Sequence, residues 1–214
     1  MQLSTLQKKQ IVGVTGLALV GFVLAHLTGN FLIFKGADAL NGYAQFLHDL
    51  GGILWAARIG LIVAFVAHMG FTMNLVITNR RARKHSYYQL KNHRKESSLP
   101  VRLMPLTGTI LLVYIVFHLL DFTLTDKVGL IDGIDYGLFG LVVNTLGDPL
   151  HASLYIIAMA ALGLHMFHAF QSLFQTFGLS NQKLQCKLNC LSKLLGVGIA
   201  VAYSSIPIYI LIAF

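Results

Sequence analysis

Charge is what this chain has least of. Asp, Glu, Lys and Arg make up 11% of its residues, against 56% hydrophobic and a mean hydropathy of +0.69. An ordinary soluble domain carries about 25% charged residues, so that class is excluded. Acids are scarcer still, 8 against 16 basic residues. The only cysteines, Cys186 and Cys190, rule out a disulfide scaffold. Alone they make neither a zinc nor an iron–sulfur site, so they are read as free thiols. Repeat arrays and low-complexity tracts are lacking. Alternation is lacking too: the apolar runs are continuous, which argues against a closed β-barrel.

What is present is five apolar segments, at 11–34, 53–78, 104–125, 151–178 and 194–214. Each can cross a hydrocarbon core of about 30 Å, which takes about 20 helical residues. The expected fold is all-α: one integral membrane bundle of five transmembrane helices over residues 1–214. The first run follows Lys8 and Lys9, is too long for a secretory h-region of about 7–15 residues and lacks a small-x-small cleavage site, so it is read as retained.

The net charge of +8 is explained by where the cations fall rather than by nucleic acid, for which no role is expected. Lys8, Lys9, the run from Arg80 to Arg102, Lys183, Lys187 and Lys193 lie on one side of a five-span chain. Lys35, Arg58 and Lys127 lie on the other. The positive-inside rule then puts the N-terminus in the cytoplasm and the C-terminus outside. The stretch 79–102 has eight basic residues and one Glu. It suits anionic lipid headgroups and a cytoplasmic partner, with His85 and His93 solvated. The stretch between spans three and four reads as a weakly structured outer cap with a short helix. Pro207 should kink the fifth span.

The organising pattern occurs twice. Thr15-Gly16 and Thr107-Gly108 are each followed by nine residues and then His-Leu, at His26 and His118. Eleven residues is close to three helical turns, so each Thr shares a face with its His. Spans two and four, running the opposite way, carry His68-Met69 and His165-Met166. Counted along the helices, His26 and His118 lie near the outer ends, and His68 and His165 lie deeper toward the inner ends. An ionisable residue inside a membrane is costly and marks function. Six-coordinate haem iron takes one axial imidazole from each side, so four histidines at two depths are the spacing of two stacked b-type haems. Gly29, Gly70 and Gly163 are expected to clear room for the macrocycles. His168, one turn from His165, is an alternative ligand by spacing. A haem-free transporter using the same four histidines as a proton relay is the rival from another class.

The motifs HLTGNFLIFKG with YAQFL, LWAARIGLIVAFVAHMG, NRRAR, RLMPLTGTILLVYIVFHLLDF and LHMFHAFQSLFQTFGL with a closing IPI span nearly the whole chain. Together they resemble the di-haem cytochrome b membrane anchor (b558 type) of bacterial succinate dehydrogenases and fumarate reductases. The resemblance implies a multi-pass subunit of the bacterial cytoplasmic membrane carrying two haem b, an inner one between His68 and His165 and an outer one between His26 and His118. It favours His165, thirteen residues before Gly178, over His168. Ala169 departs from the glycine of the family's HGF-like triplet. Succinate chemistry would belong to a separate flavoprotein subunit, with an iron–sulfur subunit docked on the cytoplasmic face. No catalytic residue for it is therefore assigned to this chain. Its role would be to carry electrons between that iron–sulfur subunit and a quinone, menaquinone by the habit of di-haem members. A di-haem anchor of another respiratory dehydrogenase would share these features.

Reaction at a quinone needs titratable groups near the membrane edge. Asp121, one turn beyond His118 at a helix end whose dipole disfavours a carboxylate, is the first candidate, and His48 and Asp49, in the outer loop just before span two, are the others. Arg58 is placed to pair with outer haem propionates or to snorkel to the interface. Arg80, Arg81, Arg83 and Arg102 are the inner counterparts.

Overall fold

The computed structural model describes residues 3–82 and 99–214, with side chains for 3–82 and 103–214. Arg83, His85, His93 and the Arg102 side chain lie outside the described residues. The described chain is helical throughout, apart from a two-stranded hairpin and short connections. Five helices are long and apolar enough to cross a membrane, which makes this a multi-pass membrane protein.

Helix α1, Thr5–Asn30, begins six residues before the apolar run because Ser4 caps it. Gln7 N–H donates to Ser4 Oγ at 3.2 Å, and Ser4 N–H donates to Gln7 Oε1 at 2.8 Å. This capping box satisfies amide groups that the first helical turn leaves open. A 3₁₀ turn, Phe31–Lys35, leads through Gly36 into α2, Ala37–Asp49. Gly36 has φ +97°, a conformation in which a side chain would be strained.

Helix α3 is Gly52–Arg81, and α4 is Leu99–Phe122. The hairpin pairs β1, Leu130–Ile131, with β2, Ile134–Asp135, and α5 follows at Gly137–Leu146. Helix α6, Pro149–Thr176, starts on an Asp148 cap with proline in its first turn. Helix α7, Gln182–Ala213, starts well before residue 194, where the apolar run suggested. Hydropathy sees only the apolar part of that helix. The boundary is set instead by Asn181, whose Oδ1 accepts from Leu184 N–H at 2.8 Å. The helix continues through Pro207 to Ala213.

Lys8 Nζ donates to Asn74 Oδ1 at 2.8 Å, which brings the start of α1 beside the end of α3. Gln171 Nε2 likewise donates to Asn189 Oδ1 at 2.9 Å and joins the end of α6 to the start of α7. Lys8, Lys9, Arg80, Arg81 and the α7 lysines therefore gather at one end, the basic end. Every aspartate of the chain belongs to elements of the opposite, cap end.

That cap is more ordered than its composition suggested. Phe139, Val143 and Leu146 of α5 are buried against Ile33, Leu40, Tyr155, Ile206 and Ile210. Each such side chain contributes about 1.5–3 kcal/mol when fully buried. Asn41 of α2 clasps α5, with Nδ2 donating to Tyr136 O at 2.8 Å and Oδ1 accepting from Phe139 N–H at 3.0 Å. The polar loop residues flank a buried apolar helix, and that helix turns the connection into a lid.

Two of the three glycines expected to make room for macrocycles have another job. A Cβ on Gly163 would lie 2.6 Å from Gly196 O on α7, and a Cβ on Gly29 would lie 2.5 Å from the Tyr43 ring. Small residues there let helices approach closely. Gly70 has open space around it.

Candidate histidine site

The duplicated Thr-Gly does not serve the histidine on its own helix. Eleven residues rise about 16 Å along a helix, beyond any side-chain contact. Each Thr instead receives the histidine of the antiparallel neighbour. His68 Nδ1 lies 3.4 Å from Thr15 Oγ1 and 3.2 Å from Val12 O, and His165 Nδ1 lies 3.2 Å from Thr107 Oγ1.

The contacts of His68 determine its tautomer. Val12 O can only accept, so His68 Nδ1 carries the proton, and Thr15 Oγ1 spends its single proton on Ile11 O at 2.7 Å and accepts from the imidazole. His68 is left with an unprotonated Nε2, the form in which an imidazole binds a metal while its other nitrogen is held. Thr107 Oγ1 lies between Met104 O at 3.1 Å and His165 Nδ1 at 3.2 Å, and donating to the carbonyl would put His165 in the same form. The glycine next to each Thr completes the seat. A Cβ on Gly16 would lie 3.2 Å from His68 Cε1, and one on Gly108 would lie 3.7 Å from His165 Cε1.

The second pair is nearer the cap. The rings of His26 and His118 are 5.8 Å apart, centre to centre, and nearly perpendicular at 85°. A metal held about 2 Å from a nitrogen of each of two imidazoles puts their centres roughly 6 Å apart. His118 is caged by Tyr114, Phe122 and Tyr155, and His26 stacks on Phe22. His118 Nδ1 is buried with no hydrogen-bond partner among the described residues. An unmet buried polar group of this kind costs about 1–3 kcal/mol. The separation of His26 and His118 thus fits a bis-imidazole site with an unmet ring nitrogen, and His68 and His165 are each seated on a threonine of the neighbouring helix.

Beside His118, Asp121 is 7% exposed, so it is neither solvated nor a cap. Tyr155 Oη donates to its Oδ2 at 2.8 Å. His48 and Asp49 are exposed at the end of α2, where Asp49 accepts from Gln45 Nε2 at 2.8 Å. Neither joins Asp121. Arg58 is exposed, with its guanidinium carbon 5.3 Å from the centre of the Trp55 ring. That position suits an interfacial anchor. Among the described residues, His168 has no hydrogen bond to a threonine seat of the kind that holds His165. The Thr-Gly signal was visible in the sequence, but its true partner lies on another helix. His151, Tyr114 and Tyr155 gave no signal that single-sequence spacing could detect.

A direct test of the seats is Thr107→Val, which keeps the shape and removes the acceptor. Loss of such a supporting hydrogen bond typically costs 10–100-fold in metal affinity. Cofactor retention on dilution should fall by about that factor, and Thr107→Ser should restore it. Thr15→Val should act more weakly, because His68 keeps Val12 O.

No family of known proteins, no curated protein and no solved structure matches this chain. The class that fold and site define is a membrane bundle with five helices long and apolar enough to span it, in which His26 and His118 pack together and His68 and His165 each meet a threonine of a neighbouring helix.

Proposed function

We propose that this chain is a di-haem cytochrome b membrane anchor of a succinate:quinone oxidoreductase, in the bacterial cytoplasmic membrane with its N-terminus cytoplasmic and its C-terminus outside. The observation that carries the reading is the twofold repetition of one device. Two threonines, two glycines and two histidines form matching seats, and His26 and His118, with ring centres 5.8 Å apart, lie nearer the cap.

His68 and His165 would hold the inner haem, and His26 and His118 the outer one. Bound haem supplies a one-electron carrier whose potential depends on its axial ligands and their hydrogen bonds. The chain itself orients four imidazoles, keeps lipid-facing helices around them and presents a basic end to its partners. Lys8, Lys9, Arg80 and Arg81 there suit an iron–sulfur subunit, with a flavoprotein subunit bearing the succinate chemistry beyond it. Menaquinone is the proposed membrane substrate, at the cap end near Asp121.

The test is a reduced-minus-oxidised spectrum and haem assay of the full chain purified from haem-replete membranes. A b-type α-band with two haems per chain is expected. A colourless protein overturns the reading, and co-purification of a flavoprotein without succinate activity would move it to another respiratory dehydrogenase.

A further inference from the structure

Four polar side chains run from the surface of the cap end to the aromatic cage of His118. Asp148 is exposed. Its Oδ2 lies 3.0 Å from both the backbone nitrogen and the Nδ1 of His151. The His151 side chain is 44% exposed, and its Nε2 lies 3.9 Å from Asp121 Oδ1. Asp121 in turn accepts from Tyr155, whose ring packs on His118 and Tyr114. A cleft of about 490 Å³ lined by Lys127, Asn144, Thr145, Asp148 and His151 opens at the histidine.

We propose that Asp121 is a proton-exchange group served from the aqueous phase by His151, with Asp148 as the entry residue. A carboxylate buried in a membrane bundle is costly, and one joined to a surface imidazole has a route to gain and lose its proton. The geometry defines one turnover. Once the 3.9 Å gap closes to hydrogen-bond distance, protonated Asp121 gives its proton to His151 Nε2 and becomes a carboxylate. His151, now carrying two N–H groups, releases the Nδ1 proton to Asp148 or to water, and a ring flip or tautomer exchange through water then returns the remaining proton from Nε2 to Nδ1, restoring the starting ring. One proton enters, one leaves, and no other bond changes.

Asp148 suits the entry position because the backbone N–H and the imidazole of His151 hold its carboxyl below the usual range. It stays an anion that attracts the imidazolium. The other titratable groups facing this region are Tyr114 and His118 on α4, His26 on α1, Tyr203 on α7 and Lys127 in the connection. None of them bridges Asp121 to water.

The inference deepens the quinone reading and rests on it for its purpose. A quinol giving up two electrons releases two protons, and this chain of groups would take them to the cap side. Its test does not depend on that reading. Infrared spectroscopy of the full chain in lipid nanodiscs, with Asp121→Asn identifying the band, should show the Asp121 carboxyl exchanging its proton with the aqueous phase when the pH is changed. After a pH jump, His151→Gln should slow that protonation by about a hundredfold, the usual lower bound for losing a positioned proton-transfer group. Asp148→Asn should slow it less. An Asp121 band that never titrates, or one whose rate is unchanged in His151→Gln, overturns the proposal. Haem content measured on the same samples reports separately on the di-haem reading.

Discussion

His118→Ala is expected to leave the protein with one haem of the two, and His68→Ala with the other. The two proposed sites share no ligand, so each should fail alone. His26→Ala should match His118→Ala, and His165→Ala should match His68→Ala. His168→Ala should keep both, because His165 is the ring that Thr107 seats at 3.2 Å. Haem per chain, together with the low-temperature spectrum that resolves the two centres, checks all five variants. Loss of a single axial imidazole removes a whole coordination position, so binding should fall by more than the roughly 10–100-fold of a lost supporting bond. A His168→Ala protein lacking the inner haem would reassign that ligand. A His118→Ala protein that loses both haems would mean the sites are coupled through the fold.

The second large effect concerns assembly. Gly163→Val should separate α6 from α7. Its new Cβ would stand 2.6 Å from Gly196 O and 2.9 Å from Ala200 Cβ, and backbone cannot yield as a flexible side chain does. Overpacking of this kind costs about 1–3 kcal/mol, with the upper part of that range expected here because both helices contribute main chain. Gly198→Val on α7 is the control, since nothing lies within 4 Å of the added atom. Thermal unfolding of both variants in the same detergent should show a large drop in midpoint for Gly163→Val and little change for Gly198→Val.

These two substitutions also show where a single sequence can be read and where it cannot. The five spans were legible because membrane hydrocarbon imposes a length and an apolar composition on any helix crossing it. Their ends were less so. Ser4 and Asn181 extend α1 and α7 into polar sequence through hydrogen bonds to backbone amides, which hydropathy does not register. The histidines and the Thr-Gly pairs were legible as residues. Their partnership was not, because periodicity relates positions on one helix while the Thr15–His68 contact joins two. Gly29 and Gly163 were assigned to a cofactor for the same reason, when the close neighbours are Tyr43 and Gly196. Asp121 stood out as an acid at the wrong end of a helix, whereas its links to Tyr155 and His151 depend on how α4 meets α6.

The apolar core lies at the cap end, against α6 and α7, while the most apolar stretches of α1 and α3 contain no fully buried residue. α1 reaches the later helices through few specific ties, among them Tyr203 Oη donating to Val23 O at 2.6 Å. During synthesis, the leading hairpin of this protein therefore enters the lipid before most of the surface that retains it exists. Its docking draws on the end of α6, where Leu173 and Phe177 lie against Gly13, and is completed by Tyr203 of α7, so a ribosome stalled before α6 would leave the first two spans largely as a separate, diffusing pair.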